Sequence, residues 1–174
     1  MTIEKTSNEG WKSLFYPSSI AVVGASPELL KPGGNVLANI RSGGFSGEVY
    51  PVNPKHTEIN GWRCFPDLAS LPGPVDLAII AVKSPQVIPV LKECAARGTG
   101  AAIIFTSGFG EVDDAGLELQ HEIREEAKSL NIRVCGPNTI GVINYRHRMQ
   151  AAFVYGYNLP APSGAEETGI ALIC

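Results

Sequence analysis

The chain has 174 residues, 44% of them hydrophobic and 18% charged. That is enough apolar material for a packed core without disulfides or metals, in one domain or one domain and a short addition. Seventeen acidic residues against fourteen basic ones leave a net charge of −3. A nucleic-acid binder carries a basic excess, so that class is disfavoured. No apolar run approaches the ~20 residues that cross a bilayer, and the opening MTIEKTSNEG lacks the basic-then-apolar layout of a signal peptide. A cytoplasmic protein with neither a membrane nor a nucleic-acid partner is expected. Cys64, Cys94, Cys135 and Cys174 show no CxxC spacing. They read as small buried hydrophobes in a reducing compartment. His56, His121 and His147 are too scattered to suggest a metal.

Residues 1–19 read as a polar lead-in whose Trp11, Leu14 and Phe15 pack on the domain edge. Residues 20–23, Ile-Ala-Val-Val, form an apolar run without alternation, the pattern of a strand buried on both faces. A loop with prolines and glycines follows to Gly33. Residues 34–42 predict a helix with Val36, Leu37 and Ile40 on one face and Gly43-Gly44 as its stop. A second strand covers 49–52 and ends at Asn53-Pro54. Residues 56–75 read as irregular. A central strand is predicted over 77–82. Ser84-Pro85 then opens a helix, Ser84 as N-cap, with Val87, Leu91 and Cys94 inward and Gly98 closing it. A fourth strand covers 101–105. Asp113 and Asp114 suit the positive end of the next helix, which turns Leu119, Ile123, Ala127 and Leu130 inward. A fifth strand over 132–135 stops at Gly136-Pro137-Asn138.

Strands alternating with helices predict an α/β fold, a Rossmann-like, doubly wound parallel sheet in a single domain over residues 1–145. Residues 146–168 include Asn158-Leu159-Pro160-Ala161-Pro162-Ser163-Gly164 and read as a linker. Residues 169–174 repeat the apolar character of 20–23. They read as the first strand of a following domain, with an added edge strand on the same sheet as the alternative.

Ligands of such sheets bind beyond the carboxyl ends of the strands, which makes the five strand-end loops the candidates. The first holds Gly24, Ala25 and Ser26 and runs on to Gly33 and Gly34. Its glycines allow a close backbone approach to phosphate ahead of a helix N-terminus, although the loop is not GxGxxG. The second, Val52-Asn53-Pro54-Lys55, has a base where an NAD site has an acid. That favours a ribose carrying a phosphate, as in coenzyme A or NADP. Val82-Lys83-Ser84 is the third. The fourth contains Ser107, Gly108 and Glu111, and the fifth Gly136-Pro137-Asn138, a sharp turn that aims Asn138 into the cleft.

These motifs in this order resemble the N-terminal CoA-binding domain of NDP-forming (ADP-forming) acyl-CoA synthetases, relatives of the succinyl-CoA synthetase alpha subunit. The resemblance covers about residues 12–174. It implies that CoA is the ligand and that acid, CoA and ATP or GTP react through an acyl phosphate and a phosphohistidine. It also implies partners, the remaining synthetase domains or subunit with the phosphohistidine and ATP-grasp parts. No residue of this chain matches the missing histidine, so no catalytic residue, no metal ligand and no turnover by this chain alone are expected. Residue by residue, Gly24, Ala25 and Ser26 would face the CoA phosphates. Val52, Pro54 and Lys55 would hold the adenosine end, with Lys55 near the 3′-phosphate. Val82 would pack on the adenine or the pantetheine arm, which Ser107, Gly108 and Glu111 would flank, and Asn138 would face the thiol end. The family has proline where this chain has Lys83. Two other readings stand beside this one: a free-standing regulatory CoA-binding protein, and the NADP-binding domain of an oxidoreductase.

Overall fold

The computed structural model describes residues 3–154, which enter through a helix, α1 (Ile3–Phe15). The lead-in, read from the sequence only as polar, is helical over most of its length. Leu14 is buried in the core, Trp11 stacks on Phe15, and the Arg133 guanidinium lies over the Trp11 ring. Strand β1 (Ser19–Val23), helix α2 (Pro32–Gly43) and strand β2 (Glu48–Val52) follow. The stretch read as irregular holds a small antiparallel hairpin, β3 (Glu58–Ile59) and β4 (Trp62–Arg63). Its turn, Asn60-Gly61, has both residues at positive φ, the twist a two-residue hairpin loop needs.

Strand β5 (Leu77–Ile80) leads into a 3₁₀ turn, Ser84–Gln86, and helix α3 (Val87–Ala96). Strand β5 ends two residues earlier than its apolar run. Ser84 is not an N-cap. Lys83 takes that position at the 3₁₀ turn and Gln86 at the helix, neither with a side-chain cap bond. Strand β6 (Ala101–Ile104) and helix α4 (Asp114–Ser129) come next, and Asp113 does cap α4, accepting the Gly116 N–H at 2.7 Å. Strand β7 (Arg133–Cys135) completes the sheet. Strands β8 (Gly141–Asn144) and β9 (Met149–Ala152) form a second hairpin. All four residues of β9 are buried, although they fall in the stretch read as linker from 146. Small side chains at Ala151 and Ala152 and the proximity of Gly43 to Arg148 and Gln150 let this strand lie close against α2. The remainder of that stretch and residues 169–174 lie outside the described residues.

The five sheet strands pair in parallel in the order β2-β1-β5-β6-β7. Alternate residues serve the two faces. Ala21, Val23, Ala78, Ile80, Ala102 and Ile104 join one core with α3 and α4. Ile20, Val22, Leu77, Ile79, Ala101 and Ile103 join the other with α1, α2 and the β8–β9 hairpin. A sheet covered on both faces needs apolar residues at both phases of the pleat, hence the unalternating runs in the sequence. The chain winds outward from β1 to β2, then returns past β1 to β5. The point where the direction reverses, between β1 and β5, opens a crevice at their carboxyl ends.

Cys94 is fully buried between α3 and the sheet, and burial pushes its thiol up to about 12. The thiolate is the reactive form. Iodoacetamide at pH 8 should therefore leave Cys94 unmodified in the native protein and alkylate it in urea, as read by peptide mass mapping.

Candidate functional site

The switch point holds a cleft of about 530 Å³ lined by Pro32, Ala81, Val82, Lys83, Ser84, Pro85, Phe105, Thr106 and Ser107. Parallel pairing sets its floor: Ala81 N–H donates to the Val23 carbonyl and Phe105 N–H to the Ile80 carbonyl, which carries the ladder just past the strands. The Thr106 hydroxyl donates to the Val82 carbonyl at 2.7 Å and joins the loops after β5 and β6. Five of the nine lining residues are apolar, three carry hydroxyls and one is a cation. Such a surface can hold a flat or alkyl group against Val82 and Phe105 while polar groups fix an anionic end.

Of the expected contacts, Val82, Lys83 and Ser107 line this cleft. The first loop is tightly packed. Ala25 and Ser26 are buried, and the Ser26 hydroxyl accepts the Glu28 N–H at 3.1 Å. Gly33 and Gly34 are buried as well. A Cβ on Gly33 would lie 2.1 Å from the Gly24 carbonyl oxygen, and one on Gly34 would lie 2.1 Å from the Glu28 oxygen. These two glycines let the head of α2 press against the loop that precedes it. Gly24 takes a φ of +88°, and a Cβ there would meet the Ala81 carbonyl oxygen at 2.4 Å. Only a glycine lets β1 turn out of the sheet this close to the end of β5.

Asn53 couples the first two loops. Its Nδ2 donates to the Ala25 carbonyl at 2.7 Å and its Oδ1 accepts the Lys55 N–H at 2.9 Å. Val52 contributes its carbonyl, which accepts from Gly24 and Ala25 N–H at 3.1 and 3.3 Å. Asn53 thus ties the first loop to the turn at Lys55, whereas Pro54 and Lys55 are exposed. Lys55 makes no ion pair among the described residues. At the fourth loop, Gly108 N–H donates to the Glu111 carboxylate at 2.6 Å, and this bond holds the Glu111 carboxyl below the usual range. Asn138 has a φ of +54° and donates its backbone N–H to the Thr106 carbonyl at 3.0 Å, so the fifth loop leans on the fourth. Its exposed side chain lies outside the cleft lining.

Ala81, Pro85 and Phe105 stood outside the candidate loops, while Pro32, Ser84 and Thr106 stood within them with no ligand role assigned. Thr106 stood in a loop already singled out, and the hydroxyl directly after a strand was its signal. Ser84 was assigned to capping. Phe105 and Ala81 look like strand interior in sequence and become walls only because the sheet ladder ends there.

A doubly wound parallel sheet with its cleft at the switch point defines a class of proteins that bind nucleotide-like ligands beyond the strand ends. Within that class, the family described as CoA binding domain matches residues 18–145, and the chain belongs to it. An ADP-forming acetate–CoA ligase II from Archaeoglobus fulgidus is 43% identical over 142 residues, covering 82% of this chain and 21% of that protein. The alpha subunit of ADP-forming acetate–CoA ligase I from Pyrococcus furiosus is 35% identical over 170 residues, covering 93% of this chain and 37% of that one. Among solved structures, the acetyl-coenzyme A synthetase 1 of Ca. Korarchaeum cryptofilum in complex with phosphate and ADP superposes with a TM-score of 0.78. Sequence identity there is 41%, over 83% of this chain and 31% of that one. The chain thus spans between a fifth and two fifths of the length of these relatives. It matches the CoA-binding part of the NDP-forming acyl-CoA synthetases.

Two outcomes follow from the loops. Gly33→Ala should cost about 3 kcal/mol, the upper end for overpacking, because both partners of the clash are backbone; urea denaturation measures it. The Glu111 bond favours the ionised carboxylate, so its contribution is complete above the ordinary glutamate range and is lost only as pH falls through the lowered value. The Gly108 amide resonance should follow that titration, and Glu111→Gln should abolish it.

Proposed function

We propose that this chain binds CoA at the carboxyl edge of its sheet and serves as the CoA-binding part of an ADP-forming acid–CoA ligase. In that reaction an acid, CoA and ATP or GTP give the acyl-CoA, with the phosphohistidine and ATP-grasp parts supplied by partner domains or subunits. The observation that carries the reading is the cleft at the switch point. Its apolar walls, hydroxyls and cation suit the mixed character of CoA, in a chain whose family is the CoA binding domain. The first loop, at Gly24-Ala25-Ser26, would present backbone to the phosphates. Lys55, held by the Asn53 turn at the rim, would meet the 3′-phosphate. Val82 would pack on the adenine or the pantetheine arm, Ser107, Gly108 and Glu111 would flank that arm, and Asn138 would face the thiol end. The described cysteines are free thiols, which suits a reducing compartment such as the cytoplasm, and no described helix is long and apolar enough to cross a membrane.

Calorimetric titration with CoA and with NADPH tests the ligand, and binding of NADPH without CoA overturns the reading. Lys55→Ala should weaken CoA about tenfold, as for one charge-assisted contact, and leave dephospho-CoA unchanged because that ligand lacks the 3′-phosphate. Equal losses for the two ligands would move Lys55 away from the adenosine end.

A further inference from the structure

The cleft holds a charge that the expected contacts do not use. Lys83 is the one charged residue among the nine that line it. The ion pairs of the described residues engage Lys31, Lys92 and Lys128, and neither Lys83 nor Lys55 has an acidic partner among those residues. Both are exposed and both follow sheet strands at the carboxyl edge, Lys55 after β2 and Lys83 after β5. Strand β1 lies between β2 and β5 and pairs with both. Neighbouring strands are ~4.8 Å apart, so the ends of β2 and β5 lie about 10 Å apart, on either side of the end of β1 from which the Gly24-Ala25-Ser26 loop leaves.

We propose that Lys83 contacts the pyrophosphate of CoA from within the cleft, a phosphate group separate from the one assigned to Lys55. This rests on the CoA reading above. CoA carries its 3′-phosphate and its 5′-pyrophosphate on opposite sides of one ribose. Two unpaired cations flanking one phosphate-facing loop match that arrangement, and a single phosphate would not need both. The backbone of Lys83 is extended, and its carbonyl accepts the Gln86 N–H at 2.9 Å, which fixes the base of the side chain. The hydroxyls of Ser84 and Ser107 line the same cleft and are placed to serve remaining phosphate oxygens, while Val82 and Phe105 leave apolar wall for the neutral arm.

The experiment titrates CoA, dephospho-CoA and pantetheine into the wild-type protein, Lys83→Gln and Lys83→Arg, each at low and high salt. Lys83→Gln should weaken CoA and dephospho-CoA by the same factor, about tenfold at low salt, and leave pantetheine unchanged. The preference for CoA over dephospho-CoA, set by Lys55, should persist. Lys83→Arg should keep most of the affinity, and the salt dependence for dephospho-CoA should flatten in Lys83→Gln. A loss confined to CoA would assign Lys83 to the 3′-phosphate and overturn the proposal. So would an equal loss for pantetheine, which would make Lys83 a support for the loop, or no loss for any ligand. Wild-type protein that binds CoA beside an unaffected Lys83→Gln overturns this assignment alone. Wild-type protein that binds none of the three overturns the CoA reading and this assignment with it.

Discussion

Every residue of β1, β5 and β6 is buried, and this double coverage governs the rest of the molecule. A sheet with helices on both faces exposes its backbone only where strands end. Function is thereby restricted to the edges, and parallel pairing collects all the carboxyl ends on one of them. Burial also explains the composition. Alanines at 21, 78, 101 and 102 keep the faces shallow enough for helices to approach, while Ile20, Ile79, Ile80, Ile103 and Ile104 fill the remaining volume.

The carboxyl edge is held by backbone more than by side chains. Gly24 packs on the carbonyl of Ala81, Gly33 on that of Gly24 and Gly34 on that of Glu28. The Val52 carbonyl receives two N–H groups of the first loop, and the Thr106 carbonyl receives that of Asn138. The side chains of Asn53 and Thr106 each bond a backbone carbonyl in a neighbouring loop. A loop network of this kind fixes five strand ends relative to one another before any ligand arrives. Preorganisation of that sort lowers the ordering cost of binding. It also frees the lysines of the edge from structural work, which suits them to meet charge on a ligand.

The two faces of the sheet are served unequally by the chain. One is covered by α3 and α4, elements of the alternating α/β pattern itself. The other needs α1, α2 and the β8–β9 hairpin, two of which lie before and after that pattern. Asn39 secures the hairpin by donating to the Ala152 carbonyl at 2.7 Å and to the Asn35 side chain at 3.0 Å. Residues after the last sheet strand thus complete the core.

The sequence by itself determined the five sheet strands, three of the four described helices and the parallel class. Each of these rests on local signals: unbroken apolar runs, an Asp N-cap, glycines after strands. The CoA family was legible too, because its motifs sit in short loops whose order survives without coordinates. The tertiary structure decided what those signals do not encode. Helix α1 is amphipathic only relative to the sheet it covers, and β9 is a strand because α2 offers it a surface. Gly33 and Gly34 pack the head of α2 on backbone 9 and 6 residues earlier, and Asn53 reaches the Ala25 carbonyl 28 residues earlier. Lys83 entered the cleft for the same reason: which strand ends become neighbours is settled by the β2-β1-β5 order, a long-range pairing that no local spacing records.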